Sequence, residues 1–217
     1  ILPQASTTGL MKQRIFQTLL IILAILIGLY PSIYFLIDRK FGLLSSKPES
    51  LLLDTSWNIG FYTHIILGGV ALLIGWSQFL PNFRNRNSKL HRQIGFIYFI
   101  SVITSSLAGI YIGWFATGGL ISAAGFICLG IVWFTSTLKA FVAIKQKDIG
   151  QHQVFMVYSY AATFAAVTLR IWLPLLTFIF NDFYTAYPIV AWLCWVPNLV
   201  VAWIIVGNLN VQTNALK

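Results

Sequence analysis

Residues 83–115 read FRNRNSKLHRQIGFIYFISVITSSLAGIYIGWF. The first ten positions hold Arg84, Arg86, Lys89 and Arg92 and no acid, and every residue from Gln93 to Phe115 is uncharged. At 1.5 Å per residue a helix over 93–115 extends about 35 Å, enough to cross a hydrocarbon layer of about 30 Å. Lys and Arg are favoured where such a helix meets the cytoplasm. The arginines therefore have a topological role. His91, one residue earlier than Arg92, has no such ready explanation.

The pattern recurs along the chain. Of 217 residues, 58% are hydrophobic and 9% are charged, with a mean hydropathy of +0.81. A soluble domain is usually about a quarter charged. The sequence predicts an all-α integral membrane protein, a six-transmembrane helical bundle with spans near 15–37, 59–80, 93–115, 120–138, 154–180 and 187–207. The fourth extends to about 144 if Lys139 snorkels outward. The fifth contains Arg170 and Pro174, so a tilt or kink is expected. The domain organisation is then a tail over 1–14, one transmembrane domain over 15–207 and a tail over 208–217. Residues 1–10, ILPQASTTGL, are either a flexible tail or sequence foreign to a natural start at Met11.

Six spans put both termini on one face. Lys12, Arg14, Arg84, Arg86, Lys89, Arg92, Lys139, Lys145, Lys147 and Lys217 share that face, ten of the fourteen basic residues. The other face has Arg39, Lys40, Lys47 and Arg170 against Asp38, Glu49, Asp54 and Asp182. Positive charge marks the cytoplasmic side, so both termini are expected in the cytoplasm. The net charge of +9 thus records topology rather than a nucleic-acid surface. Within the longest opposite loop, residues 38–58, LLLDTSWN reads as a short interfacial helix or an ordinary loop, anchored by Trp57 at headgroup depth. Trp114, Tyr184 and Tyr187 are expected in the same interfacial layer. Cys128 and Cys194 both lie in apolar stretches, as small helix residues do.

Polar residues inside spans are costly, so they carry the functional reading. The three histidines are His64, His91 and His152. His91 and His152 open spans three and five from the basic face and share a depth. His64 begins nearer the opposite face. At 100° per residue, His152, Met156, Ser159, Thr163, Ala166 and Arg170 form one stripe, with His152 and Arg170 about 27 Å apart along the axis. His64, Gly68, Ala71, Gly75 and Gln78 form another, and His91, Gly95, Tyr98, Val102, Ser105, Gly109 and Gly113 a third. Small-residue stripes permit close helix contact or leave room for a ligand. Two layers result: an outer one of His64 and Arg170, with Asp54 or Asp182 as counter-charge, and an inner one of His91, His152 and Gln78, rimmed by Arg92, Lys89 and Lys139. No span carries an internal acid, which argues against a carboxylate proton relay or di-metal carboxylate centre, and HExxH is absent.

A b-type haem is the sharpest redox chemistry available to the inner layer. His91 and His152 would be axial ligands to the haem iron, Met156 a substitute ligand, and Arg92 and Lys89 propionate partners. Both histidines also suit a plain interfacial or capping role. His64 suits a substrate, quinone or proton role, or a structural hydrogen bond. Arg170 suits an anion, a quinone or a haem propionate, or a structural salt bridge or backbone cap. The function these residues point to first is a small redox-associated membrane protein with a single b-type haem or quinone site. A non-catalytic accessory or structural subunit of a membrane complex is the alternative, with membrane lipids and a membrane protein or second copy as partners. An anion or small-molecule transporter is weaker, because neither inverted repeats nor discontinuous helices are visible; KLHRQIG and IGQHQVF are only a loose echo.

The stretches HIILGGVALLIGWSQF (64–79), LHRQIGFIYF (90–99) and GQHQVFMVYSYAATFAAVTLRIWLP (150–174) resemble the DUF2306 family of predicted bacterial membrane proteins, over about residues 57–176. The shared pattern places His64, His91–Arg92, His152–Met156 and Thr168–Leu169–Arg170 in order within apolar surroundings. The resemblance implies a bacterial inner-membrane bundle and marks these residues, without assigning an activity. Cytochrome b561-like bundles are a looser likeness. Their two-haem pattern needs four axial histidines, so one bis-histidine haem is the most this chain could hold. Cysteine scanning with a membrane-impermeant label should find residue 88 protected in intact cells and residue 50 reactive. The reverse result would invert the topology.

Overall fold

The computed structural model describes the backbone of residues 7–37 and 41–215, and side chains at 15, 17–37 and 41–208. The side chains of Lys12, Arg14, Asp38, Arg39, Lys40 and Lys217 lie outside that set. α1 runs Thr7–Leu29, continues through a 3-10 turn at Tyr30–Ser32, where Pro31 interrupts the α pattern, and ends as α2, Ile33–Leu36. A strap follows: a 3-10 turn at Gly42–Ser46 and α3, Glu49–Leu53. α4, Thr55–Gly75, closes with a 3-10 turn at Trp76–Phe79, and α5, Pro81–Arg86, leads into α6, Ser88–Gly113. α7 spans Gly119–Lys145. α8 (Ile149–Thr163) and α9 (Ala165–Phe180) make the fifth crossing, and α10 (Phe183–Leu193) and α11 (Val196–Ala215) the sixth.

Six helical stretches are long and apolar enough to cross a membrane: Gln17–Leu36, Thr55–Phe79, Ser88–Gly113, Gly119–Lys145, Ile149–Phe180 and Phe183–Asn208. They coincide with the six expected spans. At the termini the helices run further than expected, since Thr7–Leu10 already belong to α1 and α11 continues to Ala215.

The fifth crossing breaks at Phe164 rather than Pro174, which sits inside α9. The sixth breaks at Cys194–Trp195. Discontinuous helices are therefore present, contrary to the sequence reading. In lipid a freed carbonyl must find a donor inside the protein. Asn198 Nδ2 donates to Ala161 O (3.3 Å), to Cys194 O (3.1 Å) and to Thr168 Oγ1 (3.1 Å), while Thr168 Oγ1 itself donates to Cys194 O. One polar node thus serves both breaks.

Glycines set the helix crossings. A Cβ on Gly69 would sit 2.7 Å from Gly28 O, so α1 and α4 meet backbone to backbone. A Cβ on Gly125 would sit 2.8 Å from Ala191 O, at the α7–α10 crossing. Three acids cap helices on their positive ends: Asp54 accepts from Trp57 N (2.6 Å), Asp148 from Gln151 N (2.9 Å), and Asp182 from Thr185 N (2.8 Å). Hydrogen bonds from Thr185, hydroxyl and amide, hold the Asp182 carboxyl below the usual carboxylate range.

Two aromatic placements differ from expectation. Trp57 is 2% exposed and stacks on Phe61 at 5.2 Å, and Tyr187 is 6% exposed. Both are core residues: the strap folds over Trp57, its Leu44 and Leu52 packing with Tyr34, Trp57 and Phe61, and Tyr187 packs between Phe126 (5.5 Å) and Phe183 (5.0 Å). Trp114 and Tyr184 do face outward.

Gly69→Ala or Gly125→Ala should force backbones apart, lowering stability in detergent by about 1–3 kcal/mol, the usual cost of overpacking. Gly207, with open space where its Cβ would be, should accept alanine without change. Equal thermal unfolding of all three variants would contradict these crossings.

Candidate functional site

The stripes of α4, α6 and the α8–α9 crossing turn inward and surround a cavity of about 220 Å³. His64, Gly68, Gly109, Trp133, Thr163, Ala166 and Arg170 line it, and Lys47 and Tyr34 lie toward the strap. His64 is nine residues from the start of α4 and Arg170 ten from the end of α9, so both sit about 14–15 Å inward of the helix ends. Both therefore lie well inside the crossings Thr55–Phe79 and Ile149–Phe180, nearer the strap end of each.

His64 is placed by α6. Its Nδ1 lies 3.0 Å from Ser105 O. A carbonyl only accepts, so Nδ1 carries the hydrogen and neutral His64 keeps a lone pair on Nε2. Ser105 Oγ donates to His64 O at 2.8 Å, pinning the same turn. Gly109 leaves room for the ring: a Cβ there would be 2.8 Å from Nδ1. The ring stands edge-on to Trp133, with centroids 6.4 Å apart.

Among the described residues Arg170 has no carboxylate partner. Asp54 and Asp182, expected as its counter-charge, are the helix caps already described. Instead the guanidinium lies 4.2 Å over the Tyr30 ring, and Nη1 donates to Ala166 O at 2.8 Å. Its Nε is buried without a partner. Arg170 and His64 are close enough for the guanidinium charge to be felt at the imidazole.

The cavity floor is a hydroxyl network. Trp133 Nε1 donates to Thr163 Oγ1 (2.8 Å); Tyr98 OH bonds Thr163 Oγ1 (2.9 Å) and Ser159 Oγ (2.8 Å); Ser159 Oγ bonds Thr137 Oγ1 (2.6 Å). Three helices, α6, α7 and α8, meet there. At the opposite end Lys47 Nζ donates to Phe115 O and Ser46 Oγ bonds Thr117 Oγ1 at 3.0 Å, tying the strap to the α6–α7 turn. Burial pushes the Lys47 amine down to about 8.

The histidines of the basic face are separate from this cavity. His152 donates Nδ1–H to Ala140 O at 2.9 Å, leaving its Nε2 lone pair free. His91 packs edge-on to Phe83 and its Nδ1 is buried without a partner. Among the described residues no hydrogen bond joins His91 and His152. Gln78 packs on Gly95. Arg92 and Lys89 are exposed, Met156 is half-buried, and Lys139 lies over the Phe155 ring. Among the described residues no group of three or more His, Cys, Asp or Glu is placed to hold a metal ion.

Sequence reasoning missed Lys47, Tyr34, Trp133 and Thr137. The run Trp133-Phe134-Thr135-Ser136-Thr137 inside a span was the available signal for the last two. Nothing marked Lys47, whose position depends on how the strap folds back.

This architecture defines a polytopic helical membrane protein with an internal cavity. The family described as "Predicted membrane protein (DUF2306)" matches residues 61–206, and the chain belongs to it. That match contains every cavity-lining residue of α6, α7 and α9, and all of those of α4 except Trp57. No curated protein and no solved structure matches the chain.

Gly109→Ala should displace the His64 ring. Histidine-selective 15N NMR should report an Nδ1-protonated tautomer for His64 in the unaltered protein and a changed signal in the variant. An identical spectrum would contradict the Ser105–His64 geometry.

Proposed function

We propose that this is a small redox-associated membrane protein of the inner membrane whose central cavity binds a quinone headgroup. One observation carries the reading: an aromatic-walled cavity is lined by a hydrogen-bond acceptor, neutral His64 with its Nε2 lone pair, and by a donor, the Arg170 guanidinium, of which among the described residues Nη1 alone is bonded, to Ala166 O. A quinone carbonyl accepts from such a donor, and a quinol hydroxyl donates to such an acceptor. The pair therefore serves both oxidation states. Size agrees, because an apolar cavity of about 150 Å³ admits benzene. A tetrapyrrole is far larger, so a haem belongs only to the alternative at His91 and His152, where the free Nε2 of His152 supports it. Metal-binding histidines commonly donate their other nitrogen to a carbonyl in this way.

Transport of an anion is the second reading. It gains support from the breaks in the fifth and sixth crossings, since Thr163 and Ala165, on either side of the first break, line the cavity. Interrupted helices at a mid-membrane site are common in transporters.

The test is binding of a short-tailed benzoquinone to protein in nanodiscs, followed by quenching of Trp57 and Trp133, which both line the cavity. His64→Ala and Arg170→Gln should each weaken binding by on the order of ten- to a hundredfold, the effect of losing one hydrogen bond of about 1.5–3 kcal/mol. Saturable binding that both substitutions leave intact would sink the reading. A reducible Soret band lost on His91→Ala or His152→Ala would replace it with the haem site.

A further inference from the structure

Arg170 and Lys47 both line the central cavity, and among the described residues no acid does. Each cation is satisfied only in part. Arg170 meets an aromatic face and the carbonyl of Ala166 one turn earlier in its helix, with Nε unpartnered. Lys47 Nζ meets the carbonyl of Phe115. Asp54, Asp148 and Asp182 are committed to helix N-termini. A guanidinium held in low dielectric without an opposite charge is costly, and cationic residues inside membranes pair or mark a ligand path. His64 adds no negative charge in either protonation state. The remaining polar groups in the lining include Tyr34, Tyr187 and Thr163, all neutral hydroxyls at neutral pH.

We propose that the cavity binds its ligand as an anion, a small cyclic acid whose deprotonated oxygen meets Arg170 while Lys47 adds charge from the strap side. The inference rests on the cavity being the ligand site and narrows what enters it: a hydroxyquinone, phenolate or aromatic carboxylate over the neutral compound of the same shape. The apolar and aromatic walls contributed by Phe61, Trp133 and Leu129 take the ring. The guanidinium can meet an oxygen without giving up its bond to Ala166 O, because that bond uses only one of its five N–H donors, on Nη1.

The experiment uses the full chain in uncharged phosphatidylcholine nanodiscs at pH 7, with tryptophan quenching as the readout. Two matched pairs are titrated: 2-hydroxy-1,4-naphthoquinone against its 2-methoxy ether, and 1-naphthoate against its methyl ester. Each acid should bind at least tenfold more tightly than its neutral partner. Arg170→Gln should erase that preference by weakening each acid at least tenfold more than its neutral partner, Arg170→Lys should restore part of it, and Lys47→Met should reduce it. The inference is overturned if neither acid is preferred in the unaltered chain, or if the preference survives Arg170→Gln in protein that retains its thermal unfolding profile. If naphthoate is preferred over its ester and neither quinone binds, the anion site stands and the quinone reading fails.

Discussion

Thr163 Oγ1 is the point on which the bundle is organised. It accepts from Trp133 of α7, bonds Tyr98 of α6 and donates to Ser159 O of its own helix. Hydrophobic driving force is weak between helices in lipid, where tails are as apolar as leucine, so packing and hydrogen bonds decide which faces meet. A single hydroxyl shared by three helices fixes their depth relative to one another. It also sits on the last residue of α8, immediately before the break, so the network that locks the inner half of the molecule marks where the outer half changes direction.

Above that level the helices diverge enough to leave a cavity, and glycines determine its outline. Gly68 and Gly109 give the His64 side room, whereas Gly69, Gly75 and Gly125 are consumed by contact with neighbouring backbones and rings. Two glycines adjacent in sequence, 68 and 69, thus do different things because successive residues of a helix point about 100° apart: Gly68 toward Ser105 and Trp133, Gly69 toward Gly28 and Pro31. The arrangement leaves a neutral imidazole oriented by a carbonyl and a guanidinium oriented by an aromatic ring, neither neutralised by an acid among the described residues.

The spans were legible because apolar length and flanking charge are properties of contiguous sequence. The inward stripes were legible for the same reason, through helical period: Tyr98, Val102 and Ser105 are buried, as that period requires. Depth was harder. His64 looked peripheral because its helix was read as starting at 59, while the Asp54 cap starts it at 55 and moves His64 toward the middle. The helix breaks were invisible because proline was taken as the cue, yet Pro174 is accommodated and Phe164 is the interruption. Whatever depends on the strap, including the burial of Trp57 and the position of Lys47, arises from contacts between residues far apart in sequence.

The aligned interruptions at Phe164 and Cys194–Trp195 divide the molecule. α9 and α10, joined by the tight turn at Asn181–Asp182, form a hairpin whose base is tied through Thr168 and Asn198 and whose α10 packs on α7 at Gly125 and Ala191. Arg170 and Tyr187 belong to the hairpin, while His64 and Trp133 belong to continuous helices. The volume between them is therefore set by the seat of the hairpin as well as by side-chain size, and substitutions at Asn198 reach the cavity through the hairpin's base without touching it.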